Sequence, residues 1–216
     1  MGMGEEGVEV RGDIPDFLWA KTTKSGNMGK SVLSHLNDVR EVAYLLLQNS
    51  PMVLSKTGLC AKQIATFSGL HDIGKVSPGF QAKCVEWLEK YRLPPNYGIG
   101  YETNHSVVTQ FTIKEILQKT GVKTEAAELW ATILGAHHSK LHRPGLILRV
   151  SDGEWQSLRE EIVNEFLNGE KLPDFTIDCL WPFLWWVTGL VTVSDWIGSA
   201  EDWFPVMQET LPADSK

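Results

Sequence analysis

Residues 71 to 75 read His-Asp-Ile-Gly-Lys, and further groups able to bind a cation stand apart along the chain as His35, His105, His137, His138 and Asp195. The carboxylate of Asp72 has two oxygens and can bridge two cations, whereas the neighbouring imidazole binds one. Mixed imidazole and carboxylate ligands suit Mn, Fe, Co, Ni or Zn better than Ca or Mg, whose preferred shells are all oxygen, though Mg is still admissible. A pair of such ions can activate a water and neutralise the charge that develops on a phosphate ester. Asp195 sits in the otherwise apolar run Leu190-Val-Thr-Val-Ser-Asp-Trp-Ile. A buried carboxylate is costly unless paired or bound to metal, so ligation is expected of it. Lys75, three residues beyond Asp72, is placed either to hold a phosphate oxygen or attacking water or to sit solvated on the surface.

A lone histidine is more often a hydrogen-bonded core or surface group than a ligand. Here all six histidines fall between residues 35 and 142, five of them at expected helix ends and two adjacent. Adjacent residues on an ideal helix point about 100° apart. His137 and His138 therefore serve one ion only where the helix loosens, as Gly135 and the loop beyond it permit.

The elements that must carry these groups read as helices. Leu36, Val39, Ala43, Leu46 and Leu47 recur at helical spacing after Ser34 as the cap, which puts His35 near a first turn. A second helix is expected from about 58 to 70, leaving His71 and Asp72 at its end and Gly74 as a breaker. Asn104 is placed to cap a third through His105, Val108, Phe111, Ile113 and Leu117. The pattern from Thr124 to Leu134 makes a fourth that delivers His137 and His138. Ser151 and Glu154 form a capping box for a helix to about Leu167, and a last, apolar helix is expected from about Trp181 to Ile197. Loops at 93–100 and 139–145 are rich in Pro and Gly and flank the ligand candidates. The expected architecture is one all-α helical domain over residues 15–208 with few or no strands. Flexible segments are expected at 1–14 and 209–216.

Composition narrows the class. The chain has 216 residues, 43% hydrophobic and 22% charged, as an ordinary globular domain does. A net charge of −7 argues against gripping nucleic acid through a broadly basic surface. It does not exclude a nuclease, because bound cations supply local positive charge. Three scattered cysteines without a Cys-x-x-Cys pair point to a reducing, cytoplasmic setting. The apolar run at 180–193 is shorter than the roughly 20 residues a membrane span needs, and the expected protein is a monomer without a membrane contact.

In this order, His35, His71-Asp72, His105, His137-His138 and Asp195 resemble the HD phosphohydrolase superfamily, specifically the HD nuclease domain of the CRISPR-associated type I helicase-nuclease. The segments His71-Asp-Ile-Gly-Lys-Val-Ser-Pro-Gly-Phe-Gln81, Gly135-Ala-His-His-Ser139 and Ser194-Asp-Trp-Ile-Gly-Ser199 with Trp203-Phe-Pro205 carry the likeness. The resemblance implies an HD-domain helical bundle and one or two divalent transition-metal ions. By it, His35, His71, Asp72 and Asp195 hold one ion and Asp72, His105, His137 and His138 the other. It further implies single-stranded DNA as substrate, with Asp72 and Lys75 in catalysis and Lys75, Ser199, Lys140 and Arg143 against the substrate. A helicase domain or subunit and an RNA-guided surveillance complex are the implied partners. Phe80 and Tyr101 are candidates for base stacking, or else for packing. Two other readings stand beside the nuclease: an HD phosphohydrolase of nucleotides or cyclic nucleotides, and a module whose metals are structural. The chain contains no Gly-x-x-x-x-Gly-Lys-Ser/Thr phosphate loop with which to drive unwinding itself.

Overall fold

A computed structural model describes residues 18–23, 25–90, 92, 94, 104–138, 140–142, 153–174 and 181–206, with the backbone alone at Val53, Lys56, Thr57 and Trp181. Every regular element among the described residues is helical, apart from two isolated antiparallel bridges, Trp19 with Ser31 and Thr22 with Met28. The all-α expectation is met. The segments 1–14 and 209–216, and most of the loops at 93–100 and 139–145, lie outside the described residues.

Helix α1 spans Val32–Gln48 and is capped by Ser31 rather than Ser34: the Ser31 hydroxyl accepts the Ser34 N–H at 3.2 Å. Val32, Leu36, Val39, Ala43 and Leu47 recur at steps of three and four residues and are all buried. That stripe packs on α3 (Ala61–Gly69) and α9 (Trp181–Gly198). Complete burial of each leucine contributes about 1.5–3 kcal/mol before the entropy of ordering it is counted.

The helix expected from about 58 to 70 is α3, which begins at Ala61, after a short helix that carries no strong periodic signal. α2 (Pro51–Thr57) ends at Gly58, whose φ of 68° closes it in the left-handed conformation. α3 then runs into a 3-10 turn, Leu70–Lys75, so Gly74 lies within a helical turn instead of breaking one. Two short helices without a strong periodic signal follow, α4 (Pro78–Gln81) and α5 (Val85–Lys90). Ser77 caps α4 and Pro78 occupies its first position, where a missing N–H costs nothing.

α6 (His105–Lys119) begins at Asn104, whose side chain accepts the Ser106 N–H, as expected. It pairs side by side with α7 (Thr124–Gly135). α8 (Gly153–Leu167) buries Trp155, Ile162, Val163 and Phe166, while its expected cap Ser151 lies outside the described residues. No helix among the described residues is long and apolar enough to cross a membrane. The 3-10 turn is the hub of the bundle, in contact with α1, α3, α6, α7 and α8.

Ahead of α1 the chain forms a strap that doubles back on itself. Val32 N–H bonds Leu18 O at 2.7 Å, Ala20 N–H bonds Lys30 O at 2.8 Å and Gly29 N–H bonds Lys21 O at 3.0 Å. Buried Gln81 ties the strap to the hub. Its Nε2 donates to Trp19 O at 3.0 Å and Lys75 O at 2.8 Å, its Oε1 accepts the Trp19 N–H at 3.3 Å, and its own carbonyl accepts the Trp19 indole N–H at 3.0 Å.

Candidate metal centre

Five elements deliver the seven expected ligand side chains to one place. His35 comes from the first turn of α1, His71 and Asp72 from the 3-10 turn, His105 from the first position of α6, His137 and His138 from just beyond α7, and Asp195 from the last turn of α9. Their ligand atoms fall into two groups, His35, His71, Asp72 and Asp195 in one and His105, His137 and His138 in the other, each within 4.8 Å throughout. Asp72 faces both. Its Oδ2 lies 2.9 Å from His35 Nε2 and 3.2 Å from His71 Nε2, while its Oδ1 lies 3.2 Å from His105 Nε2 and 3.4 Å from His137 Nε2. Asp195 Oδ1 completes the first group at 3.4 Å from both His35 Nε2 and His71 Nε2. His138 Nε2 meets His105 Nε2 at 2.9 Å in the second.

These spacings fit divalent cations. Donors about 2.0–2.2 Å from a zinc-sized ion stand roughly 3.0–3.5 Å apart along the edges of its coordination polyhedron. His71 Nε2, His137 Nε2 and Asp72 Oδ1 are buried yet make no hydrogen bond. Each such group costs about 1–3 kcal/mol when left unsatisfied, and one cation in each ligand group would together satisfy all three. The remaining ring nitrogens fix the tautomers. His137 Nδ1–H donates to Leu134 O at 2.5 Å and His71 Nδ1–H to Gly69 O at 3.3 Å, so each Nε2 is turned inward. Thr192 of α9 donates its hydroxyl to His137 O at 3.0 Å, anchoring the backbone where α7 loosens. This is how two adjacent histidines come to share one group.

The charges are tightly interdependent. Burial acts to lower the His71 pKa, but Asp72 and Asp195 reverse the effect and raise it to about 9. Burial favours the protonated forms of the carboxyls as well. Even so, His71, Lys75, His105 and His137 hold Asp72 well below the usual carboxylate range, and His35 and His71 do so for Asp195. His35 and His105 are lowered chiefly by burial, and His138 falls to about 4 through desolvation and then the neighbouring His137 and His105. In the metal-free protein the proton on His71 thus contributes stability in full below an ordinary histidine pKa of 6.5, and that contribution is lost as pH rises through about 9. A ligating imidazole must be neutral. Metal loading at pH 7 is therefore expected to expel about one proton, a release that fades as pH passes 9. Calorimetry in buffers of different ionisation enthalpy measures it; a release unchanged from pH 7 to 10 would contradict the assignment.

The expected substrate contacts are placed unevenly. Lys75 is only 5% exposed, its Nζ 2.6 Å from Asp72 Oδ2 and donating to Ala20 O at 3.2 Å, which rules out the solvated surface lysine. Ser199 donates its hydroxyl to Asp195 Oδ1 at 2.8 Å and so holds that carboxylate. Lys140 is exposed beyond His138, whereas Arg143 and Tyr101 lie outside the described residues. Phe80 is 6% exposed and stacks on Trp19 at 4.6 Å, a packing role. One nearby cation was not legible in the sequence: Lys21 Nζ lies 3.9 Å from Asp195 Oδ1. Its pKa is lowered by burial and then by Lys75. It precedes the first periodic segment, and no local pattern marks it.

Comparison with known proteins agrees with this architecture. A family model described as Cas3, HD domain, matches residues 19–204. The CRISPR-associated endonuclease/helicase Cas3 of Thermus thermophilus is 29% identical over 219 aligned positions, which cover 87% of this chain and 22% of that protein. The crystal structure of the Thermus thermophilus cas3 HD domain in the presence of Ni2+ superposes with a TM-score of 0.64 and 25% identity, covering 90% of this chain and 80% of that one. A chain of a CRISPR RNA-guided surveillance complex in a pre-nicking state superposes with a TM-score of 0.71 and 26% identity, covering 91% of this chain and 26% of its own length.

Proposed function

We propose, because the chain belongs to the Cas3 HD domain family, that it is a metal-dependent nuclease hydrolysing phosphodiester bonds of single-stranded DNA in CRISPR interference. The observation that carries this reading is Asp72, with one carboxylate oxygen turned to each group of histidines. By this reading His35, His71, Asp72 and Asp195 hold one divalent ion, and His105, His137, His138 and the same Asp72 hold a second. Imidazole-rich donors favour Mn, Fe, Co, Ni or Zn. When bound, such ions supply an activated water and neutralise charge on the phosphodiester.

The chain's own residues set the geometry and the direction of approach. His35, His71 and His137 are buried, while His105 is half-buried and His138 exposed, so the strand enters on the side of His138. Ser199 and Thr192 hold Asp195 and His137 in place, and the Lys75 ammonium keeps Asp72 ionised and oriented. The test is cleavage of circular single-stranded DNA by metal-stripped protein after addition of Mn, Co, Ni or Mg. Linear product supports an endonuclease. An intact circle beside hydrolysed nucleotides would replace the reading with a nucleotide phosphohydrolase.

A helicase domain or subunit is the proposed partner, and a surveillance complex the assembly that presents the strand. The related Thermus protein carries both activities in its name, and this chain spans only 22% of it. On α9, Pro182, Trp185, Gly189, Val193 and Trp196 lie at steps of three and four residues on one exposed face with no charge among them; Trp185 is 51% and Trp196 68% exposed. Such a face fits a docked domain. Trp185→Ser with Trp196→Ser is expected to leave cleavage of free single strands unchanged and to weaken calorimetric binding of the helicase domain added in trans. Undiminished binding would place the helicase elsewhere.

A further inference from the structure

Resting on the nuclease reading above, we infer that Lys21 binds a non-bridging oxygen of the scissile phosphodiester. Two lysines reach the candidate centre, and they are not equivalent. Lys75 is spent on the protein itself: its Nζ is 2.6 Å from Asp72 Oδ2 and 3.2 Å from Ala20 O, and its side chain is 6% exposed. Lys21 keeps 29% of its side chain exposed, and its Nζ stands 3.9 Å from Asp195 Oδ1, beyond hydrogen-bond reach. Asp195 does not need it. That carboxylate already accepts the Ser199 hydroxyl at 2.8 Å and faces His35 and His71 at 3.4 Å.

The strap gives this ammonium a fixed origin. The Lys21 carbonyl accepts the Gly29 N–H at 3.0 Å, and a Cβ at Gly29 would lie 2.9 Å from that carbonyl oxygen, so the close return of the strap depends on glycine there. Two residues earlier, Trp19 is held through its backbone N–H, its carbonyl and its indole by Gln81. Gln81 is thus a positioning residue for Lys21, linking the strap to the turn that carries Asp72. Electrostatics calls for an anion at this point. The candidate centre offers two carboxylates, Asp72 and Asp195, which cannot neutralise two divalent ions together with Lys21 and Lys75. A phosphodiester oxygen supplies part of the missing negative charge, and an ammonium on a partly exposed stem can follow it to hydrogen-bond distance.

The experiment titrates inorganic phosphate into the metal-loaded chain by calorimetry, comparing the parent with Lys21→Gln and Lys21→Arg, with metal content per chain measured alongside. Loss of one charge-assisted hydrogen bond is expected to weaken phosphate binding by about 10- to 100-fold in Lys21→Gln. Metal content should be unchanged, Lys21→Arg should keep most of the affinity, and kcat/KM on single-stranded DNA should fall in parallel. Unchanged phosphate affinity in Lys21→Gln overturns the inference. So does a drop in metal content that accounts for the lost affinity, since Lys21 would then serve the ligand set and not the substrate. Because phosphate affinity is read without cleavage, a parent that cuts no DNA would count against the nuclease reading and leave this result legible.

Discussion

Asp72→Ala is expected to abolish metal-dependent cleavage of circular single-stranded DNA, by about 10³-fold or more, which corresponds to ~4 kcal/mol of transition-state stabilisation. Asp72 faces both histidine groups, so its removal subtracts an oxygen from each: Oδ2 beside His35 and His71, Oδ1 beside His105 and His137. Metal content per chain should fall with activity. The variant also strands Lys75, which is buried against Asp72 Oδ2. Removing one partner of a buried ion pair costs about 3–5 kcal/mol, so a lower melting temperature is expected as well. Asp72→Asn separates the two effects. The amide fills the same volume and retains an oxygen but carries no charge, and it too should be inactive. Full cleavage by folded Asp72→Asn would overturn the bridging role.

Gly74→Ala carries the second large effect, and it is invisible to any reading of turn propensity. The glycine does not adopt a positive φ; the positive-φ glycines among the described residues are Gly26, Gly58, Gly121 and Gly169. What it provides is space. A Cβ at Gly74 would lie 1.9 Å from His105 O, 2.5 Å from Thr109 N and 2.8 Å from Thr109 Oγ1. Two of these atoms are backbone of α6, and the third belongs to a hydroxyl that accepts the Gly74 N–H at 3.0 Å and donates to His71 O at 2.8 Å. No rotamer relieves the clash. Either α6 moves away with His105 or the turn moves with Asp72, and the second histidine group opens in both cases. Overpacking of this kind is expected to cost about 3 kcal/mol or more. For a domain of this size that is a fall of roughly 6–12 °C in melting temperature. Gly189→Ala is the internal control: nothing lies within 4 Å of a Cβ there, and an exposed helical glycine gains helix propensity from alanine. Gly74→Ala melting with the parent would remove the argument.

Several helices are legible because their signals are local. Asn104 caps α6 with its own side chain, α7 (Thr124–Gly135) covers the predicted pattern up to Leu134, and α9 follows its apolar run. Where local signals compete, the sequence misleads. Ser31 and Ser34 are equally able to cap α1, and the choice falls to Ser31 because the strap pairs Val32 with Leu18 and so fixes where the helix starts. Gly58 reads as the opening of a helix and in fact closes the preceding one. Lys75, read in isolation, is either a phosphate ligand or a surface charge. Packing against Asp72 excludes the surface charge, and the more exposed of the two ammonium groups near the centre is Lys21, on a segment without periodicity.

The sequence by itself determined the donor types, the all-α class and the recurrence of histidines at helix ends, since these follow from residue chemistry and from periods of a few residues. Only the tertiary structure decided which donor faces which oxygen, which lysine stays open to solvent and why residue 74 must be glycine. Those properties are set by contacts between residues far apart in the chain, His35 with Asp72 at 37 positions and His105 with His138 at 33. No local pattern encodes such a contact, because it exists only once packed helices hold the two side chains against the cost of closing the chain between them.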